Sequence, residues 1–325
     1  MTNEAEYVLI IGSSNMDLNI YSKRFPNPGE TVTGGEFKQY LGGKGANQAV
    51  ASVRSGSKTI FIGKIGTDSF GDQMISQLSA EGININYVIR DPQETSGVAF
   101  ILIDENGENM ISVAPGANFR LNADEIRSNA DIIKNANSIV VQMEIPIETI
   151  QEIFTLALKG RNFKILNPAP LKPFPPDLLK MVDIIIPNEV EIFKLHSFLG
   201  FPELTEKGNQ KIIQASRDIS SLGVHYIITT LGKKGCLIFN GKIDEYFQIS
   251  APMVKAIDTV GAGDCFIGVF ASMLNKGENM LNAVKIATVA ASIAVTKKGA
   301  QASMPYFEEI QKKLKSLNFY DKCDD

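Results

Sequence analysis

The chain has 325 residues, 44% of them apolar and 21% charged, enough for a sizeable globular core in one large α/β domain or two smaller ones. A net charge of −4, with no basic run or arginine cluster, argues against nucleic acid as a partner. His196 and His225 are too few for a multi-histidine metal site and count against a histidine-based triad, while Cys236, Cys265 and Cys323 show no spacing for a disulfide framework or zinc.

In chain order, the segment from Met1 to Tyr7 has no basic flank, and Val8–Ile11 is too short for a signal core or a membrane span. Cytosolic residence is therefore expected, extending to the nucleus in a eukaryote, with no membrane partner. A strand is predicted over Tyr7–Ile11. Residues 17–40 then read as turn-rich extended chain, with a first corner at Phe25-Pro-Asn-Pro-Gly29. A helical pattern covers 44–55, a strand Thr59–Ile62 and a helix 70–81. Thr95–Ile103 and Asn109–Ala114 flank the hairpin signal Asp104-Glu-Asn-Gly107. Period-2 alternation puts Ala99, Ile101 and Ile103 on one face. Together with 17–40 this hairpin suits a small antiparallel sheet standing off the main body; an edge hairpin on the main sheet is the alternative.

Beyond it, helical patterns at 122–135, 146–159, 188–199 and 207–222 alternate with strands Ser138–Gln142, Phe163–Leu166, Asp183–Pro187 and Tyr226–Thr230. Strands this apolar on both faces, separated by helices, predict a doubly wound, largely parallel central sheet flanked by helices. Ligands then belong at the carboxyl ends of the strands. A second hairpin joins Gly235–Phe239 to Lys242–Ile249 across Asn240-Gly241. Helices over 263–275 and 280–297 follow, and a charged terminal helix begins near Pro305.

The densest chemical signal is Asp258-Thr-Val-Gly-Ala-Gly-Asp264, a small-residue loop that runs directly into an apolar helix. Glycines admit a ligand close to the backbone, and helix N-terminal N–H groups attract anions. A carboxylate there is placed to take a proton from a hydroxyl that attacks a phosphate; as a rival reading, Asp264 is an N-cap. Leu41-Gly-Gly-Lys-Gly-Ala-Asn-Gln-Ala49 resembles part of a P-loop but lacks its spacing and its magnesium-binding hydroxyl. Lys44 and Asn47 share one face of a first helical turn, and Asn15 and Asp17 share a face of extended chain, groups that suit a neutral polyol. Glu144 follows a predicted strand, as a ligand-facing residue would; the alternative is an N-terminal helix residue with no ligand role. Asn188 and Glu191 open a helix, either to order a water-coordinated magnesium ion or simply to cap it. Thr230-Leu-Gly-Lys-Lys-Gly235 reads as a phosphate-binding turn or a solvated hairpin loop.

These residues resemble the signatures of the ribokinase-like (PfkB) carbohydrate kinases over about residues 8 to 306. The first signature is Gly42-Gly-Lys-Gly-Ala-Asn47 with Gly56 and Gly66, and the second is Asp258–Asp264. Asn15-Met-Asp17, Pro28-Gly-Glu-Thr-Val32, Gly116-Ala-Asn118, Asn167-Pro-Ala-Pro170, Pro187-Asn-Glu189, Thr230-Leu-Gly232 and Thr296-Lys-Lys-Gly-Ala-Gln-Ala-Ser303 match as well. The resemblance implies one kinase domain over residues 1–325, with a small antiparallel sheet from about 17–40 and 95–114 as a lid and a homodimer formed through it. The implied activity is ATP-dependent phosphorylation of the 5-hydroxyl of D-ribose. Asp264 would be the base, with Gly261, Ala262 and Gly263 as an anion hole. Asn15, Met16, Asp17, Gly43, Lys44, Gly45, Ala46, Asn47 and Glu144 would hold the sugar. Asn188, Thr230, Leu231, Gly232, Lys233, Lys234, Gly235 and Thr288 would line the ATP site, with Gly263 and Asp264 at its phosphate end. Glu191 would organise magnesium through water. Asp258, Val260, Ala294, Lys297, Gly299 and Ser303 would ligate an activating potassium ion, read alternatively as a turn in which Asp258 is a cap or pairs with Lys297. Same-fold kinases of adenosine, fructose or pseudouridine are the nearest rivals, although aliphatic Ala99, Ile101 and Ile111 suit a free pentose better than a base. A sugar-binding sensor without activity is a more distant one. Cys265, Ile267 and Val269 depart from the family pattern and bear on nucleotide affinity; the tail after Tyr306 is unmatched.

Overall fold

The computed structural model describes residues 6–160 and 162–317. Met1–Ala5, Cys323 and the charged tail beyond Leu317 lie outside the described residues. The first strand, β1 (Val8–Ile11), buries all its side chains. It leads through Gly12-Ser-Ser14 into β2 (Asn15–Tyr21), which leaves the main body and returns as β3 (Glu36–Gly42). Then come α1 (Lys44–Arg54), β4 (Thr59–Ile62), β5 (Lys64–Gly66), α2 (Ser69–Ala80) and β6 (Ile89–Asp91). The hairpin is β7 (Gly97–Ile103) and β8 (Asn109–Ala114), followed by α3 (Ala123–Arg127) and α4 (Ala130–Asn135). Next are β9 (Ser138–Gln142), α5 (Ile147–Ala157), β10 (Phe163–Asn167), β11 (Ile184–Ile185), α6 (Glu189–Phe198) and α7 (Asn209–Ser220). The chain closes with β12 (Tyr226–Thr230), β13 (Cys236–Asn240), β14 (Glu245–Ile249), α8 (Ala262–Asn275), α9 (Met280–Ala294) and α10 (Phe307–Ser316).

The main sheet has eight strands in the order β14-β13-β12-β11-β10-β9-β1-β4, parallel from β12 to β4 and antiparallel at β13 and β14. Strand alternation divides its side chains between two cores. Val8 and Ile10 join the core that includes α1, α8 and α9, while Leu9 and Ile11 join the one that includes α5, α6 and α7. This is the doubly wound α/β arrangement expected from the sequence.

The small sheet is separate, with order β3-β2-β7-β8. Its outer pairs are antiparallel and its central pair, β2 with β7, is parallel. In register, Tyr40, Asp17, Ala99 and Val113 form one row on the inner face, and Phe37, Ile20, Leu102 and Met110 form a row on the outer face. Met16 and Leu18 on that outer face are buried with Ile65 and Met74, so the root of the sheet is fastened while its far end stands free.

Local departures from the predicted elements have local causes. The helix expected over 122–135 is two helices, because Ser128 and Asn129 turn their side chains back to the carbonyls of Asp124 and Glu125. The strand expected over Asp183–Pro187 shrinks to Ile184–Ile185, since Pro187 has no N–H for a ladder. Asn240 pairs with Glu245 rather than turning with Gly241, leaving a four-residue loop over 241–244 in which its side chain accepts from Lys242 N. The helix expected to 297 stops at Ala294. The short parallel pair β5–β6 was not expected at all.

Candidate active site

Asn15, Glu144, Asn167, Asn188 and Thr230 stand at the carboxyl ends of, or just beyond, successive parallel strands, where a doubly wound sheet opens. Two spaces meet there. One, of about 660 Å³, runs beneath the inner face of the small sheet past Asp17, Lys44, Asn47 and Glu144. The other, of about 230 Å³, lies among Asn167, Asn188, Glu191, Thr230 and Gly263. Lys44, Thr259, Gly261 and Asp264 border both.

The larger cleft is lined by polar groups that can pair with hydroxyls. Asn118 fixes Asn15 by donating Nδ2 to its Oδ1 at 2.8 Å, while its own Oδ1 accepts from Ser14 N at 3.0 Å. Asn15 therefore keeps both Nδ2 donors for a ligand. Asn47 donates Nδ2 to Asp264 Oδ2 at 2.9 Å, and its Oδ1 is buried without a protein donor. A buried acceptor left unmade is costly, so this oxygen marks a place for a ligand hydroxyl. Glu144 accepts from the Ser13 hydroxyl and from Lys44 N at 3.2 Å. The Asp17 carboxylate folds over Gly42, where a Cβ would come within 2.2 Å of it. Gly43 has φ +86°, and a side chain there would strike Ser14 and Asn15. The paired glycines thus serve the approach of β2 to the start of α1.

Four charges meet in this cleft. Burial, then Glu144 and Asp264, push the Asp17 carboxyl up to about 7. Conversely, the Asp264 carboxylate above all holds the Lys44 ammonium firmly protonated. In the smaller pocket, burial raises the Glu191 carboxyl.

The start of α8 forms the wall between the two spaces. Gly261 is its N-cap with φ +75°, in the left-handed region that glycine adopts most readily. Asp264 is the third residue of the helix and not its cap. The first-turn N–H groups of an α-helix have no intrahelical acceptor and suit an anion. A Cβ built on Gly263 meets no protein atom within 4 Å, so the space before this glycine is left for something other than the protein. Asn188 and Glu191 do form a capping box, Asn188 Oδ1 accepting from Glu191 N at 2.8 Å and Glu191 Oε2 from Asn188 N at 2.8 Å. Both also border the smaller pocket.

Several expected contacts are not made. Met16 points away from the cleft into the apolar cluster with Ile65 and Met74, because period 2 sets it opposite to Asn15 and Asp17. Gly45 and Ala46 are buried under the first turn of α1, and Leu231 belongs to the core beside Phe239. Thr288 lies inside α9 with its hydroxyl donated to Val284 O at 2.8 Å, and borders neither space. Lys233 and Lys234 are exposed in a short 3-10 turn outside both linings. Asp258 is half-buried, and its oxygens accept from Val260 N at 3.0 Å and Gly299 N at 2.9 Å. Lys297 pairs instead with Glu309 at 2.7 Å. Gln48, Asn167, Asn19, Tyr40 and Thr259 belong to the site or its support and were not singled out for it. Asn167 had a signal in its place at a strand end, and Gln48 and Thr259 lie inside the two glycine-rich segments. Ile267, one of the departures from the family pattern, is buried against the smaller pocket and makes that wall apolar. Cys265 is fully buried beside Asp264, and desolvation pushes its thiol up, which leaves it unreactive.

A doubly wound sheet that holds a helix N-terminus against a covered, hydroxyl-pairing cleft defines a class, the α/β kinases of small hydroxylated molecules. A model of the pfkB family of carbohydrate kinases matches residues 5–306, and the chain belongs to that family. It is 38% identical over 312 residues to a ribokinase of Staphylococcus aureus, covering 95% of this chain and 99% of that protein. A deoxyribokinase of Salmonella typhi is 37% identical over 312 residues, 96% of this chain and 99% of the relative. The structure of Arabidopsis thaliana ribokinase complexed with ribose and ATP superposes with a TM-score of 0.87 at 30% identity, covering 96% of this chain and 99% of that one.

Proposed function

We propose that this protein transfers the γ-phosphoryl group of ATP to the 5-hydroxyl of D-ribose, giving D-ribose 5-phosphate and ADP. The observation that carries this reading is the position of Asp264, a buried carboxylate on the border of both spaces and in the first turn of α8. Asn15, Asp17, Gly43, Lys44, Asn47 and Glu144 hold the sugar, with Asn47 Oδ1 accepting from one of its hydroxyls. Asp264 takes the proton of the attacking hydroxyl, and the N–H groups of Gly261–Gly263 face the charge on the transferring phosphoryl group. Phosphoryl transfer asks mainly for positioning and charge neutralisation, and these groups supply both. Asn188 and Thr230 line the nucleotide path, and Gly232 and Gly235, outside both linings, shape the turn that follows Thr230. The small sheet acts as a lid, and the chain works as one catalytic unit in the cytosol.

Glu191 would suit magnesium held through water, since it borders the smaller pocket and magnesium keeps most of its waters. Bound there, the ion neutralises phosphate charge. Asp258 with the backbone oxygens of Val260, Ala294, Lys297 and Gly299 and the Ser303 hydroxyl would make a donor set of single negative charge, which would suit a monovalent cation such as potassium. Two copies pair through the outer face of the lid, where Ile20, Phe37, Phe100 and Met110 are exposed.

An ADP-release assay over a sugar panel tests the reaction. Ribose should exceed adenosine and fructose in kcat/KM by more than about tenfold, since a hydroxyl-pairing site left unpaired is costly. Turnover of adenosine at the rate of ribose would replace the reading with a nucleoside kinase. The identity to a deoxyribokinase supports 2-deoxyribose as a second substrate, and the same panel measures the ratio.

A further inference from the structure

Both oxygens of Asp264 are held by amides that differ in their surroundings. Asn47, on Oδ2, borders the cleft; Gln48, which donates Nε2 to Oδ1 at 2.9 Å, is wholly buried and borders neither space. It reaches Asp264 because α1 and α8 touch at Gly268, where a Cβ would lie 2.3 Å from the Gln48 carbonyl oxygen. The Gln48 amide is itself fixed from behind. Its Oε1 accepts from Gln142 Nε2 at 2.6 Å, and its Nε2 also reaches Asn167 Oδ1 at 3.3 Å. Asn167 in turn donates to Ile186 O at 3.0 Å.

A carboxylate only accepts, so the direction of this chain is forced. Gln48 must show its NH₂ to Asp264 and its oxygen to Gln142, and Gln142 must show its NH₂ to Gln48. The cost falls on Gln142 Oε1, which is buried, has no donor, and lies where a methyl on Gly12 would come within 2.0 Å. Two fully buried glutamines, one with an unmade acceptor, are a poor way to fill a core. They are a good way to set the plane of a carboxylate, whose terminal torsion is otherwise soft.

We propose that Gln48 is a positioning residue that aims Asp264, and that Gln142 acts through Gln48. The proposal rests on the reading of Asp264 as the base. Amide donors on both oxygens leave the carboxylate no freedom to turn, and the lone pair that receives the proton stays directed at the cleft. Substrate binding does not depend on it, so the effect belongs in kcat and not in KM.

The test is steady-state kinetics with ribose and ATP on Gln48→Met, Gln142→Met, Asp264→Asn and the doubles with Asp264→Asn. Gln48→Met keeps the volume and loses the donor, and kcat should fall about 10- to 100-fold, the worth of a hydrogen bond to a charged group. Both KM values should stay within about threefold of wild type, and the substitution should cost nothing further in the Asp264→Asn background, as for residues acting as a unit. Gln142→Met, which carries the test if Gln48→Met does not fold, should cost about 2- to 10-fold in kcat, the worth of a neutral hydrogen bond, and likewise nothing beside Asp264→Asn. Unchanged kcat in the foldable variants, or an undiminished loss beside Asp264→Asn, overturns the positioning role alone. An Asp264→Asn enzyme at wild-type rate overturns the base reading and the proposal with it.

Discussion

Asp17 shows what gathering three carboxyls in one cleft costs the free protein. Its carboxyl, at 3.8 in an unstructured chain, is pushed up to about 7 by burial and by Glu144 and Asp264. The folded protein therefore keeps a proton that the unfolded chain gives up, and stability falls as pH rises between those two values, with the full loss present above the upper one. Asp17→Asn removes the titration. Without sugar, the variant should melt above wild type near pH 8 and lose that advantage near pH 4, where both side chains are neutral. Calorimetry at the two pH values reads this directly, and an equal difference at both would remove Asp17 as the cause. Above about pH 7 the same substitution should also weaken ribose binding, because a neutral amide replaces a charged acceptor.

Among the elements, the first turn of α8 makes two glycines carry different burdens. Gly261 has φ +75°, so Gly261→Ala should destabilise the protein by roughly 1–2 kcal/mol through backbone strain. Gly263 is helical with open space before it, so Gly263→Ala should fold normally while its methyl enters the space before the helix. We expect kcat to drop steeply for Gly263→Ala with an unchanged melting temperature, and thermal melts beside ADP release separate the two cases. The loop that enters this helix gives a further test. Exchanging potassium for sodium at fixed ionic strength should lower kcat severalfold, and Asp258→Ala should abolish the difference; identical rates in wild type would remove the cation site.

Much of this region was legible beforehand, because glycines, a carboxylate and helix-start geometry leave a dense local signal. The six main-sheet strands up to β12, and the helices between them, were legible from apolar runs and period. What was not legible depends on distance in space. Gln48 and Gln142 are 94 residues apart, and nothing local says that their amides meet. Met16 sits between two site residues in the chain, yet the pleat turns it to the other face. β5 and β6 are three residues each, too short for any period to show.

At the scale of the whole molecule, the small sheet joins two faces of different character. Its inner face covers the cleft with Asn19, Ile101 and Ile111, and its outer face leaves Phe37, Phe100 and Met110 each more than half exposed. An apolar row of this kind on a projecting sheet is what supports the proposed pairing of two copies. Phe100→Asp with Met110→Glu should convert a dimer to a monomer in light scattering at matched concentration. A wild-type protein that is already monomeric would remove the pairing. The strand order has another consequence. All four strands meet the main body at one edge of the small sheet, through Ser14, Gly43, Ser96 and Pro115, and the connections 22–35 and 104–108 lie at the opposite end. Each strand is thus moored at its own root, like the tines of a comb. A foreign folded module spliced between Thr33 and Gly34, both exposed, would lengthen one connection while severing no mooring. The enzyme could in this way carry a reporter at the free end of its own small sheet.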